Sequence, residues 1–247
     1  TNTTADQVTV EAGGIVTIDN SKTLTVNDGV GVDLEVNGTL NVNGGLIGGT
    51  LTQNAGSTTV FNANSFYNHK RNSGTIPTAS WDATSTCTVT GMVATVPTIS
   101  SFNQTFGNFT WNCSSQSSPV NFTSAAYGFG TTAAFTLQHS GTSLFCLSSD
   151  SGTSNTFNFG SMVIGASGKL QNSAKSSTAA GLIDLNVLGN VTVNGIMDFG
   201  AGTADAISGT YRSRLFIKGN LEVASGATFY KSGSNSSFGK VEFNNAT

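Results

Sequence analysis

Charge is the scarcest property of this 247-residue chain. Ten Lys plus Arg and thirteen Asp plus Glu make up 9% of it, where a soluble domain averages about one quarter. A net charge of −3 and a pI near 5.2 argue against nucleic acid as a partner, because that binding rests on Lys and Arg at phosphates. Three prolines are too few for a mucin-like stalk. Thirty glycines without a G-X-Y period exclude collagen. No run of about eighteen apolar residues exists, so no membrane span is expected. Three cysteines and two histidines, without Cys-x-x-Cys or paired-His spacing, argue against zinc.

What is present is small and uncharged: 35 Thr, 31 Ser, 25 Asn and 30 Gly, or 121 of the 247 residues. An apolar share of 37% still suffices for a core. No basic and apolar leader opens the sequence, so any export signal is expected to have been removed. The last segment, Val241-Glu242-Phe243-Asn244-Asn245, reads as a strand without a closing cap. The chain is therefore expected to be part of a longer polypeptide, with further coils of its own chain as a neighbour.

Helical periodicity is nearly absent, while alternating triplets recur: Val8-Thr9-Val10, Leu24-Thr25-Val26, Leu34-Glu35-Val36, Leu40-Asn41-Val42, Val191-Thr192-Val193, Leu221-Glu222-Val223 and Val241-Glu242-Phe243. Each predicts a short strand with one buried face. Glycine corners recur beside them at Gly38, Gly107, Gly189, Gly219 and Gly239, with looser copies at Gly130 and Gly160. From Gly130 onward the corners follow one another at intervals of roughly 20–30 residues, and repeats of that length that cannot bury their own face alone predict a solenoid. The expected fold is all-β, a right-handed parallel β-helix of roughly eight to twelve coils with a loop-rich middle. We divide it into coils over 1–64, a section of widened coils over 65–121, and coils over 122–247, all one continuous domain. Unequal repeat lengths predict loops concentrated at one corner. Inward positions take Val, Ile, Leu and Phe, outward ones Thr and Ser, and stacked like charges would repel along a parallel ladder.

The middle section changes texture. It holds Phe66-Tyr67-Asn68-His69-Lys70-Arg71, then Gly74-Thr75-Ile76-Pro77-Thr78-Ala79-Ser80-Trp81, Ser85-Thr86-Cys87 and Phe106-Gly107-Asn108-Phe109-Thr110-Trp111-Asn112-Cys113. These motifs resemble those of large, adhesin-like surface proteins of the phylum Bacteroidota. The likeness covers most of the middle section, and the surrounding Leu-x-Val-x-Gly ladders are similar but less diagnostic. It implies export through the type IX secretion system, whose surface-attachment machinery would be a partner. It also implies an extracellular or cell-surface location, associated with the outer membrane of a Gram-negative bacterium. The C-terminal sorting domain of such proteins is expected to lie elsewhere in the longer polypeptide.

Within this section Trp81 and Trp111 read first as seals on a hydrophobic seam and second as a platform for a sugar ring. Tyr67, His69, Arg71, Trp81, Trp111, Tyr211 and Arg212 are the ligand-contact candidates, for glycans or other cell surfaces. Cys87 and Cys113 are separated by about one coil; a disulfide between them is the first expectation and a stack of thiols on adjacent coils the second. Cys146, within Leu144-Phe145-Cys146-Leu147, reads as a buried small hydrophobe. Asn27, Asp28 and Asp33, in Asn27-Asp28-Gly29-Val30-Gly31-Val32-Asp33, have the oxygen ligands of a calcium turn. The turn occurs once, and a plain corner is the competing reading. No other cofactor is expected.

An enzyme would draw on His69, Lys70, Arg71 and Asp82, or on Asp198, Asp205, Arg212, Arg214 and Lys218. Carboxylates within about 10 Å in a shared groove would mark a polysaccharide lyase or hydrolase, and scattering around the rod would oppose one. Thr23/Thr25, Thr50/Thr52 and Thr86/Thr88 suggest a flat ice-binding face, at unequal intervals that do not suit regular stacking. The expected function is a non-catalytic structural and adhesive segment. The alternatives are a carbohydrate-active β-helix enzyme, a glycan-binding module or an extracellular filament subunit.

Overall fold

The computed structural model describes residues 1–45, 48–122, 128–148, 154–172, 183–200, 211–230 and 238–244, with backbone alone at 211, 212, 238 and 239. Among these residues the chain is all-β, a parallel β-solenoid with no α-helix and a single 3-10 turn at Ile99–Phe102. Each alternating triplet of the sequence falls in a strand. In most of them the long apolar side chain at every second position turns inward and the polar residue between turns out, whereas Val223 and Phe243 in the last coils are exposed.

Each coil runs through three faces. The first carries Thr3–Ala5, Thr23–Val26 and Thr50–Gln53 in one ladder. A second ladder continues that face with Val120–Asn121, Phe145–Cys146, Lys169–Gln171, Ile196–Asp198 and Thr228–Tyr230. The second face starts with Val8–Val10, Leu34–Val36, Thr59–Phe61 and Ser80–Trp81. It ends with Ile183–Val187, Tyr211–Ile217 and Phe238–Phe243. On the third face the order runs from Ile15–Ile18 through Thr39–Asn43, Phe66–Lys70, Thr86–Val89 and Asn108–Asn112. The long strands Gly130–His139 and Asn155–Ser167 bend through the corner and belong to both faces. Val191–Val193 and Leu221–Val223 complete the third face. The ladder of the third face runs across 64/65 and 121/122 without a break.

Pairing registers give the coil lengths. Phe66 pairs with Thr86, whereas Val191 pairs with Leu221, half as far again along the chain. The coils of the middle section are therefore the shortest, not widened as expected. Its large aromatics fill the lumen instead of swelling the loops. Phe102 and Phe109 pack edge to face on each other and on Phe122 and Phe129 just beyond the section, Phe106 tilts against Phe109, and all are buried. Burial of each such ring contributes about 1.5–3 kcal/mol, which makes this the strongest part of the core. In the C-terminal coils, the longest separations in sequence between consecutive described strands fall where the first face hands over to the second. They run from Cys146 to Asn155, from Gln171 to Ile183 and from Asp198 to Tyr211.

The corner between the second and third faces is tight. A Cβ on Gly219 would stand 2.5 Å from the main chain of Gly189, and one on Gly189 would stand 2.8 Å from the carbonyl of Gly160. No larger residue fits there without moving a neighbouring coil. The even spacing of Gly160, Gly189 and Gly219 in the sequence is the trace of this column.

Candidate functional site

Strand Phe66–Lys70 alternates outward, inward, outward, and this phase decides the fate of the ligand-contact candidates. Tyr67 and His69 point into the lumen and are fully buried. The Tyr67 hydroxyl lies 3.0 Å from His69 Nδ1, and His69 Nε2 lies 2.7 Å from the Ser73 carbonyl oxygen. A carbonyl only accepts, so Nε2 carries the proton and Nδ1 accepts from the tyrosine. Burial lowers the His69 pKa to about 4 and raises that of Tyr67. Arg71 donates from Nη1 to the Gly49 carbonyl and, at 3.2 Å, to Thr50 Oγ1, tying two coils together.

Trp111 is also fully buried, and its indole N–H donates to Gln116 Oε1 at 2.8 Å. Trp81 is half-buried. Its ring stacks on Phe61 with centroids 4.1 Å apart, and its N–H donates to Gln104 Oε1 at 2.9 Å. Both tryptophans seal the seam, the first reading of their sequence positions. The expected disulfide does not form: Cys87 and Cys113 are free and buried, and Cys146 is buried as well. The short middle coil is the reason. Cys87 stands in register with Tyr67 and Phe109, which leaves Cys113 four positions further along the strand, roughly 13 Å away. A disulfide tolerates Cα separations of at most about 7 Å.

Asp33 is buried at the corner that leaves the first face. Its Oδ1 accepts from Gly29 N at 2.7 Å, and its Oδ2 from Thr58 N at 2.6 Å and Thr58 Oγ1 at 3.1 Å. Those bonds, led by the Thr58 amide, hold its pKa below the usual carboxylate value. Asn27 Oδ1 accepts from Asn54 Nδ2 at 2.7 Å, and the Asp28 carboxylate lies against Gly56. These oxygens lock adjacent coils together. Among the described residues no group of three or more His, Cys, Asp and Glu side chains is placed to hold a metal.

The remaining ionisable candidates spread around the rod. Asp82 caps its corner by accepting from Thr84 N at 2.8 Å. Asp184 receives Arg214 in a two-point ion pair between coils of the second face, at 2.7 and 2.6 Å. Asp198 lies on the first face. Lys70 and Lys218 are exposed. The Tyr211 and Arg212 side chains, and Asp205, lie outside the described residues.

The first face carries the two cavities of interest. Thr23 pairs with Thr50 and Thr25 with Thr52, so each pair is exactly one coil apart at this point and the threonines do stack. Thr86 and Thr88 belong to the third face. After Gln53 the ladder breaks, because Pro77 has no N–H to give. Two glutamine amides replace the missing main-chain bonds. Gln53 binds both the N–H and the carbonyl of Thr78, at 2.9 and 2.8 Å. Gln104 binds Ala79 N and the Pro77 carbonyl, each at 3.0 Å. A hydroxyl-lined dent of about 490 Å³ remains among Thr50, Thr52, Ser57, Thr75 and Thr78.

The second cavity, about 270 Å³, lies further along the same face. Gln171 pairs with Asp198, and Asp198 with Tyr230. Amide, carboxylate and phenol therefore project in one column, a rung of about 4.8 Å apart. Asp198 Oδ2 accepts from Gln171 Nε2 at 3.0 Å, and Oδ1 from Gly200 N at 2.9 Å. Lys169 lies beside Gln171 on the same strand, and Thr142 and Ser143 close the rim. Tyr230 is 43% exposed. Sequence reasoning misses this group because its polar residues come from different coils. The visible signal is the alternation in Thr228-Phe229-Tyr230, which turns Phe229 in and Tyr230 out.

Comparison with protein-family models, curated proteins and solved structures returns no match for this chain.

Proposed function

We propose that this chain is a non-catalytic segment of an exported cell-surface protein, a stiff solenoid whose work is structural and adhesive. The observation that carries this reading is the dispersal of the ionisable residues an enzyme would need. His69 is sealed in the lumen, Asp82 caps a corner, Asp198 lies on the first face and Arg214 is paired with Asp184 on the second. A hydrolase or lyase needs its carboxylates facing one substrate bond. The motif resemblance supports type IX export and an extracellular location. Outward Thr and Asn side chains suit many weak contacts with a hydrated surface, and on the third face Asn68 and Thr17 are held by the buried Asn41 at 2.9 and 3.3 Å.

The test has two arms. Antibody labelling of intact source cells is expected to reach the chain, and beads coated with it are expected to be retained on cells or on polysaccharide films. Incubation with soluble plant and bacterial polysaccharides is expected to release neither reducing ends nor unsaturated uronates. Product release would replace the adhesive reading with the enzymatic one, and antibody inaccessibility would remove the surface location.

A further inference from the structure

We infer that the cavity around Tyr230 is a binding subsite for a neutral pyranose unit of a polysaccharide. The inference deepens the adhesive reading and depends on it only for placing the site outside the cell. Three observations carry it. The first is an aromatic ring, Tyr230, held on a strand paired to Ile196–Asp198 and 43% exposed. A pyranose offers a C–H face that packs on such a ring, whose apolar body and polar tip suit an interface that stays partly wet.

The second is the polar lining. Gln171 has its amide orientation fixed by the Asp198 carboxylate at 3.0 Å, so it meets a ligand without first losing rotamer freedom. Lys169 supplies N–H donors from the same strand, and Thr142 and Ser143 add hydroxyls at the rim. Adjacent sugar hydroxyls need donors and acceptors side by side, and this lining provides both.

The third is charge and size. One ammonium and one carboxylate line the cavity, so the lining carries no net charge and Asp198 opposes an anionic ring. At about 270 Å³ the space falls just below the usual range of enclosed ligand pockets. It fits one ring of a chain that continues across the surface. The dent beside Thr50 and Thr52 lies on the same face but has no aromatic ring.

The experiment titrates the chain calorimetrically with cellohexaose, xylohexaose, mannohexaose, maltohexaose and laminarihexaose. At least one is expected to bind with a Kd between about 10 µM and 10 mM. Tyr230→Ala is expected to weaken that binding about tenfold or more, and Tyr230→Phe, which keeps the ring, by less. Gln171→Ala is expected to weaken it about fivefold, while Thr52→Ala leaves it unchanged. Circular dichroism confirms that each variant is folded. Absence of binding by all five sugars, or undiminished binding by Tyr230→Ala, overturns the subsite. Binding of oligogalacturonate alone overturns its neutrality. Sugar binding without bead retention on cells would remove the adhesive reading and leave the subsite standing.

Discussion

The carboxamide of Gln53 holds Thr78 by both its main-chain N–H, at 2.9 Å, and its carbonyl, at 2.8 Å, and so occupies the place of a strand. Its Nε2 also reaches Thr59 Oγ1 at 2.7 Å. Gln53→Leu leaves the Thr78 groups to partial solvation and is expected to cost about 1–2 kcal/mol in urea unfolding. Gln53→Glu keeps the acceptor and loses the donor, so its cost is expected to be nearly as large. Stability within about 0.5 kcal/mol of the parent for both variants would show that the amide carries no structural duty.

His69 links stability to acid. Burial lowers its folded pKa to about 4, from an ordinary value of 6.5. Between those values the unfolded chain binds a proton that the folded chain refuses, so stability falls as pH drops through this window and levels off below it. The shift corresponds to about 3 kcal/mol in all. Urea unfolding from pH 7.5 to 3.5 is expected to show this slope in the parent and not in His69→Gln. The difference between the two separates His69 from the carboxylates that titrate in the same range. Parallel curves would mean that the imidazole is solvated or stays protonated inside.

The buried cysteines make a chemical prediction. Burial pushes the Cys113 thiol up to about 12 and raises that of Cys87 as well, and only a thiolate reacts. A thiol reagent at neutral pH is expected to label none of the three in the native chain and all three after denaturation without reductant. Labelling of a single cysteine in the denatured, unreduced chain would restore the disulfide.

The solenoid is legible in the sequence because its repeat is written in local chemistry. Leu34-Glu35-Val36 and Val191-Thr192-Val193 announce short strands, and the evenly spaced Gly160, Gly189 and Gly219 announce a corner. The phase of the aromatic strands is not legible. In Phe66-Tyr67-Asn68-His69, alternation pairs Tyr67 with His69, but both phases place an aromatic residue inside, and only packing chooses. The interval from Cys87 to Cys113 matches an average coil, yet the coil at that point closes sooner, from Thr86 to Asn108. The Thr23/Thr50 pair shows the opposite case, an interval that looks irregular in sequence and is one full coil in register. The alternation of Thr228-Phe229-Tyr230 shows Tyr230 turning outward, but not its neighbours, because coils of unequal length separate Gln171, Asp198 and Tyr230 in sequence and join them in register. A repeat of variable length shows that coils stack without showing which residues meet.

The glycine column tests that stacking directly. Gly219 has no left-handed φ, and its difficulty is space: a Cβ there would stand 2.5 Å from the Gly189 main chain. Main chain in a packed ladder yields only by opening the coil contact, so Gly219→Ala is expected to cost about 1–3 kcal/mol. Gly226 is the contrasting case. Its φ is +85° and nothing lies within 4 Å of the place a Cβ would take, so Gly226→Ala is expected to cost about 1–2 kcal/mol through backbone strain alone. Asparagine tolerates that conformation better than alanine, and Gly226→Asn is expected to recover part of the loss, whereas Gly219→Asn is expected to be worse than Gly219→Ala. Urea unfolding of the four variants separates the two mechanisms by this reversal in the order of alanine and asparagine. Equal ranking at the two sites would mean that the coils at Gly219 are not in close contact.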